Sequence, residues 1–328
     1  MMTHRPRRLR QSSSLRSLVQ ENHVRVEDLI APLFVQEGQG IQTAISSMPG
    51  HYRWSLDFLL KEIDDLVKLG IRAIALFPAL PESRKDARAT HSREPDGLYP
   101  KSIEAIKNAY PDLVVMSDVA MDPYSDQGHD GLFDTKTGKI LNDESLPILA
   151  EMAICQAQAG VDIIGPSDMM DGRVGFLRQS LDQNGFSDTA IMSYTAKYAS
   201  SFYGPFREAL DSAPKGGDKK TYQMDPGNIR EAMKETFLDI EEGADILMVK
   251  PGLSYLDVIQ KMKESCETPV AAYNVSGEYA MVKAANEKGW LDGQAVMEEM
   301  LVSFKRAGAD LILTYFAREM AEVLKGRS

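Results

Sequence analysis

The chain has 328 residues, 43% hydrophobic and 26% charged, enough apolar material for one large core or two small ones. Its 37 Lys and Arg against 48 Asp and Glu give a net charge of -11, which argues against nucleic acid or a polybasic membrane contact as its business. Two cysteines, Cys155 and Cys266, cannot build a disulfide framework or a four-thiolate zinc site, and they suit a reducing cytoplasm.

In chain order, residues 1–25 read as an arm and 26–328 as one catalytic domain. The first twenty residues carry Arg5, Arg7, Arg8, Arg10 and Arg16, a serine run Ser12–Ser14, and no acid. Such a start fits an organelle transit peptide or an extended arm that docks on an acidic neighbouring subunit; the arm is the reading adopted. No run reaches the roughly 20 apolar residues that cross a bilayer.

Eight short apolar runs follow: Leu29–Val35, Ala73–Phe77, Leu113–Ala120, Ile163–Ser167, Ala190–Lys197, Asp245–Lys250, Val270–Ser276 and Leu311–Phe316. Between them lie helical patterns. Leu56, Leu59, Leu60, Ile63, Leu66 and Val67 keep the spacing of one buried helix face, as do Ile229, Met233, Phe237 and Ile240. The latter helix is expected to open at Asp225-Pro226, a cap followed by a proline. Val296, Met300, Leu301 and Phe304 mark the last long helix before the final strand.

A junction recurs where helix gives way to strand: Gly160-Val161-Asp162, Gly243-Ala244-Asp245, Gly308-Ala309-Asp310 and, more loosely, Gly70-Ile71-Arg72. Glycine supplies the left-handed residue that ends a helix, and a buried parallel strand follows. Eight such alternations predict a (β/α)8 TIM barrel. An open doubly wound sheet is disfavoured, since no strand is followed by G-x-G-x-x-G. Three loops are long: Pro78–Tyr99, the Asp- and Gly-rich segment 122–142, and 213–223. The first and third are expected at the C-terminal mouth, where barrels carry their chemistry.

At that mouth the strand ends bring together Asp118, Ser167, Asp168, Lys197, Lys250, Ser276 and Tyr315. Two lysines ending adjacent buried strands are desolvated and repel one another. Both effects favour a neutral amine that attacks carbonyls. The bland alternative is that both reach out to solvent and pair with carboxylates. Between Asp118 and Asp130, four aspartates and His129 crowd thirteen residues. That pattern suits an oxygen-ligand, Mg2+-like site or, equally, a solvated turn.

Four segments then carry a resemblance: Met192–Arg207, Gly243–Gly252, Pro166–Arg173 and Tyr273–Glu278. With them the chain resembles the porphobilinogen synthase (5-aminolevulinate dehydratase) family, from about Arg5 to the last helix. The resemblance implies condensation of two 5-aminolevulinate molecules to porphobilinogen in tetrapyrrole (haem and chlorophyll) biosynthesis. It implies a Schiff base of the first substrate on Lys250 and of the second on Lys197, with Asp118 and Ser167 on the amino group and its protons. It assigns Ser276 and Tyr315 to the first substrate's carboxylate, and Arg207, Lys219 and Gln223 to the second's. It further implies an activating, allosteric Mg2+ at Glu235 and a homo-octamer held by its N-terminal arms. Zinc-dependent relatives carry cysteines where Ala120, Asp122 and Asp130 stand here. No catalytic zinc is therefore expected, and Asp122 and Asp130 are candidates for another active-site metal. The alternatives are a class I Schiff-base aldolase, which needs one lysine only, and a non-catalytic barrel scaffold.

Overall fold

The computed structural model describes residues 2–327; Met1 and Ser328, at the outer ends of the expected arm and barrel segments, lie outside the described residues. Eight parallel strands follow one another around a closed barrel: β1 (Leu29–Gln36), β2 (Ala73–Ala79), β3 (Val114–Val119), β4 (Ile163–Pro166), β5 (Ala190–Lys197), β6 (Ile246–Lys250), β7 (Val270–Asn274) and β8 (Leu311–Thr314). Closure comes from β1 on β8, with Leu29 opposite Ile312 and Ile30 opposite Leu313. All eight apolar runs are strands. Their C-terminal ends differ slightly from expectation: Ser167 and Tyr315 follow β4 and β8, while Ser276 opens the helix Ser276–Glu287.

The recurring Gly-x-Asp junction has a specific structural use. Gly70, Gly160, Gly243 and Gly308 all take positive φ, from 92° to 105°. The aspartate two residues on then clasps the preceding strand. Asp162, Asp245 and Asp310 each accept a backbone N–H at 2.8 Å, from Val115, Ile191 and Val270. Each returns its own N–H to the same residue, at 3.1, 3.0 and 2.7 Å. Neighbouring strands are thus pinned in register at the end of the barrel opposite the mouth.

Helices cover the barrel. Helix Leu56–Lys68 turns Leu59, Ile63 and Leu66 inward, and helix Gly293–Ala307 buries Met300, Leu301 and Phe304, as their spacing requires. Helix Arg230–Glu241 corrects the expectation. It begins four residues after Pro226, because Asp225 accepts the Gly227 N–H at 2.7 Å and caps a turn instead. Its buried residues are Ala232, Met233, Thr236 and Asp239, and Phe237 is exposed.

Three-residue strands escaped the periodic reading because they are too short to show a period. Gln42–Ala44 and Tyr52–Trp54 form an annex beside β1, and Leu132–Asp134 pairs with Lys139–Leu141 as a hairpin inside the Asp-rich loop. The N-terminal segment is exposed from residue 2 to residue 21. It is less extended than expected, with a 3-10 turn Pro6–Arg10 and a short helix Ser13–Leu18 capped by Ser12. Among the described residues no helix is long and apolar enough to cross a membrane.

Candidate active site

Parallel register places Lys197 and Lys250 directly opposite one another on β5 and β6. Both are buried rather than reaching into solvent. Their surroundings nevertheless differ. The Lys250 ammonium sits among four rings, 4.6 Å from the centroid of Tyr273, 4.9 Å from Tyr194, 5.0 Å from Phe206 and 5.4 Å from Tyr203. Burial, then the charge of Lys197, pushes its amine down to about 7, leaving a sizeable neutral fraction at neutral pH. Lys197 instead donates to Asp130 Oδ2 at 3.0 Å and to the Ser167 carbonyl.

The Asp-rich loop turns its carboxylates inward. Asp130 is fully buried and accepts from Lys219 Nζ at 2.6 Å and Gln223 Nε2 at 3.4 Å, besides Lys197. Burial pushes Asp130 up, but the two ammoniums outweigh it and hold the carboxyl below the usual range. Asp122 lies 3.3 Å from the same Lys219 ammonium, yet burial pushes its carboxyl up. Asp118, on β3, is pushed up to about 7 by burial and by Asp122, against a hydrogen bond from Ser167. It can therefore hold or release a proton near neutrality.

Sequence reasoning missed the aromatic walls around Lys250 and the support behind β4. Arg173, fully buried, approaches Asp168 at 3.9 Å and Asp239 at 3.8 Å and donates to Ser193 Oγ at 3.2 Å. Burial raises Asp168 to about 6, only partly offset by Arg173. The signal was present in Pro166–Arg173 as an aspartate and an arginine flanking a turn. Nothing in the sequence shows that the guanidinium folds back into the core.

The remaining site residues divide. Ser276 Oγ accepts from Phe206 N at 3.0 Å, tying the mouth of β7 to the helix Gly204–Leu210 that carries Arg207. The Tyr315 hydroxyl lies 3.1 Å from that of Tyr273, next to Lys250. His129 is a strut rather than a ligand. Its ring stacks on Phe133 and bonds the Tyr222 hydroxyl at 3.1 Å and the Gly216 carbonyl at 2.9 Å. Glu235 stands apart, half-buried in a polar cleft with Asn142, Asp171 and Glu231. Burial raises its carboxyl, with Arg173 opposing and Asp239, Asp171 and Glu231 adding to the rise.

All three long loops meet over the mouth, including segment 122–142, whose loop position the sequence left open. Lys85 donates to the Asp211 carbonyl at 2.6 Å and Lys215 pairs with Glu82. The Lys215 N–H reaches the Gln127 carbonyl at 3.1 Å, and Asp86 N the Tyr124 carbonyl at 3.0 Å. Gly128 is needed at this seam: its φ is +68°, and a Cβ there would stand 2.5 Å from the Ala213 carbonyl oxygen.

Two metal positions can be judged on donor chemistry. Asp122 and Asp130 already bracket the Lys219 ammonium, so as placed they do not fit a divalent cation as well. Among the described residues no group of three or more His, Cys, Asp or Glu is arranged to hold a metal ion. The Glu235 cleft is lined by the carboxylates of Glu235, Glu231, Asp171 and Asp225 and by the Asn142 amide, an oxygen-rich donor set that suits a largely hydrated Mg2+.

Fold and site together define a (β/α)8 barrel whose mouth holds a pair of buried lysines among titratable carboxyls. The sequence profile of the family described as Delta-aminolevulinic acid dehydratase matches residues 3–323. Among curated relatives, "Delta-aminolevulinic acid dehydratase" of Chlamydia pneumoniae is 51% identical, covering 98% of this chain and 97% of its own. The protein of that description from Synechocystis sp. is 53% identical, covering 98% and 99%. A solved structure from Toxoplasma gondii, described as delta-aminolevulinic acid dehydratase (porphobilinogen synthase) in complex with the reaction product porphobilinogen, is 53% identical. It superposes with a TM-score of 0.96, covering 98% of this chain and 92% of that one. The chain belongs to the delta-aminolevulinic acid dehydratase family, whose members are lyases.

Proposed function

We propose that this chain joins two molecules of 5-aminolevulinate into porphobilinogen, releasing two waters, with Lys250 and Lys197 each holding one substrate as an imine. The observation that carries the reading is the pairing of Lys197 and Lys250 in direct register, one salt-bridged and one caged by aromatic rings. Lys250, with its depressed basicity, attacks the ketone of the first substrate; its nitrogen forms the C=N bond and the ketone oxygen leaves as water. An iminium withdraws electrons more strongly than a ketone, so the adjacent carbon gives up a proton more readily. Asp118, poised near 7 and hydrogen-bonded to Ser167, takes and returns protons at the amino-group end.

Ser276 and Tyr315 would grip the first carboxylate, and Arg207, Lys219 and Gln223 the second. Lys219 and Gln223 are already organised on an anion, the Asp130 carboxylate, which shows that their donors converge on one oxygen pair. A substrate carboxylate entering here would share or replace those contacts. Closure of the three loops excludes water from the imines.

Beyond the chemistry, Glu235 would hold an activating Mg2+, which would add fixed positive charge to a cleft of carboxylates. The exposed arginine-bearing segment at residues 2–21 would embrace a second copy, as an octamer built from arms requires. Two unpaired cysteines support a cytoplasmic site of action.

Sodium borohydride reduction with 5-aminolevulinate, read by intact mass and peptide mapping, tests the reading alongside porphobilinogen formation. A reduced adduct on Lys250 together with product supports it. Product without any lysine adduct would discard the imines, and neither product nor adduct from folded protein would leave a scaffold.

A further inference from the structure

Glu278 lies in the first turn of helix Ser276–Glu287, is fully buried, and has no part in the chemistry above. A glutamate three residues into a helix commonly folds back on the N-cap N–H, and Glu278 does so, its Oε2 accepting from Val275 N at 3.0 Å. A cap needs one oxygen and no burial. Here Oε2 also accepts from Asn274 Nδ2 at 2.8 Å, and Oε1 accepts from Leu253 N at 2.9 Å. Among the described residues no cation pairs with this carboxylate, so neutral donors alone offset its burial.

Those donors are not scattered. Leu253 is three residues beyond Lys250, in the turn that leaves β6, and Gly252 N in that turn donates to the Tyr273 carbonyl at 2.7 Å. Asn274 and Val275 lead into Ser276. The Asn274 Oδ1 accepts from Thr314 Oγ1 at 2.8 Å, one residue before Tyr315. One carboxylate therefore ties together the ends of β6, β7 and β8.

We propose that Glu278 is a positioning residue that fixes the span from the Lys250 amine to the carboxylate grip at Ser276 and Tyr315, and thereby selects keto acids by chain length. The inference rests on the imine reading of Lys250. With the span fixed, a 4-oxo acid places its ketone on the amine while its carboxylate is held. A 5-oxo acid, one methylene longer, meets only one end correctly.

The experiment compares borohydride trapping on Lys250 by 4-oxopentanoate and 5-oxohexanoate, simple acids without the amino group, in the full-length protein and in Glu278→Gln. Gln has a single acceptor oxygen for donors on two sides, so either Leu253 N or the Val275–Asn274 pair loses its partner. The preference for the shorter acid is expected to shrink about tenfold, the scale of one buried hydrogen bond lost. Thr314→Val, which frees Asn274 from a distance, gives a smaller change in the same direction and decides the question if Glu278→Gln does not fold. An unchanged preference in the folded variant overturns the inference, whatever happens to thermal stability. Failure of the natural protein to form a Lys250 adduct overturns the imine reading instead.

Discussion

Lys197 donates to Asp130 Oδ2 at 3.0 Å across 67 residues of chain, and this bond sets it apart chemically from Lys250, the lysine opposite. Desolvation alone would treat two buried lysines alike. A buried carboxylate supplied by the mouth loop faces Lys197, while Lys250 is desolvated among aromatic rings beside the Lys197 charge, and its proton is easier to lose.

Replacing Lys250, the lysine of depressed basicity, should be decisive. Lys250→Met is expected to lower porphobilinogen formation by several orders of magnitude and to abolish the mapped adduct at position 250. Lys197→Met should also stop turnover but still trap the first substrate on Lys250, as intact mass would show. Equal trapping by Lys250→Met and the natural protein would contradict the assignment.

The depressed basicity of Lys250 has two pH signatures. Trapping of a 4-oxo acid should accelerate as pH rises through about 7 and level off above it. Folding should respond too. Between about 7 and the ordinary lysine value of 10.5 the unfolded chain binds the extra proton, so stability rises with pH across that window. Lys250→Met loses this slope. Its melting temperature should exceed that of the natural protein most clearly at pH 6, and the gap should narrow as pH climbs.

Asp130 balances two ammoniums at once. Asp130→Asn leaves Lys197 and Lys219 buried without their shared anion, and destabilisation of about 3–5 kcal/mol is expected by urea titration. A small loss would mean that water or Asp122 replaces the charge. Asp118→Asn, by contrast, should leave stability nearly intact and slow turnover by roughly 10²–10⁴, the usual worth of a general acid–base group.

Gly128 reports on loop closure. A Cβ in Gly128→Ala meets the Ala213 carbonyl and a left-handed backbone, so the seam between the 122–142 and 213–223 loops must part. Turnover should fall while the Lys250 adduct still forms, a split visible in steady-state kinetics against borohydride trapping. Loss of both would place the damage in the fold instead.

Deleting residues 2–21 tests the arm. Because these residues are exposed within their own chain, with none of them buried, the barrel should keep its melting transition. Sedimentation velocity should show a smaller assembly. An unchanged sedimentation coefficient would remove the arm from the assembly.

Much of the barrel was legible in the sequence because its cause is local and repeated. Strand runs, helix faces and the glycine that ends each helix are decided within a few residues, and each Gly-x-Asp carries its own strand clasp. Lys197 and Lys250 were legible for the same reason: each ends a run whose burial the sequence displays. Phe237 and the start of helix Arg230–Glu241 were not, since a capping aspartate serves a turn or a helix equally well and a periodic face does not reveal which side meets the core. Three-residue strands left no period to read.

The partnerships of the site belong to the tertiary structure. Asp122 and Asp130 looked like cation ligands while they were neighbours in a loop, and only the fold brings Lys219 and Lys197 onto them from elsewhere in the chain. Arg173 on Asp168, four rings around Lys250, and Glu278 between the ends of three strands are likewise products of closure. The sequence determined which side chains would be buried at the mouth. Which charge each would face was decided only when the barrel closed, because electrostatic partners are set by distance in space and not by separation along the chain.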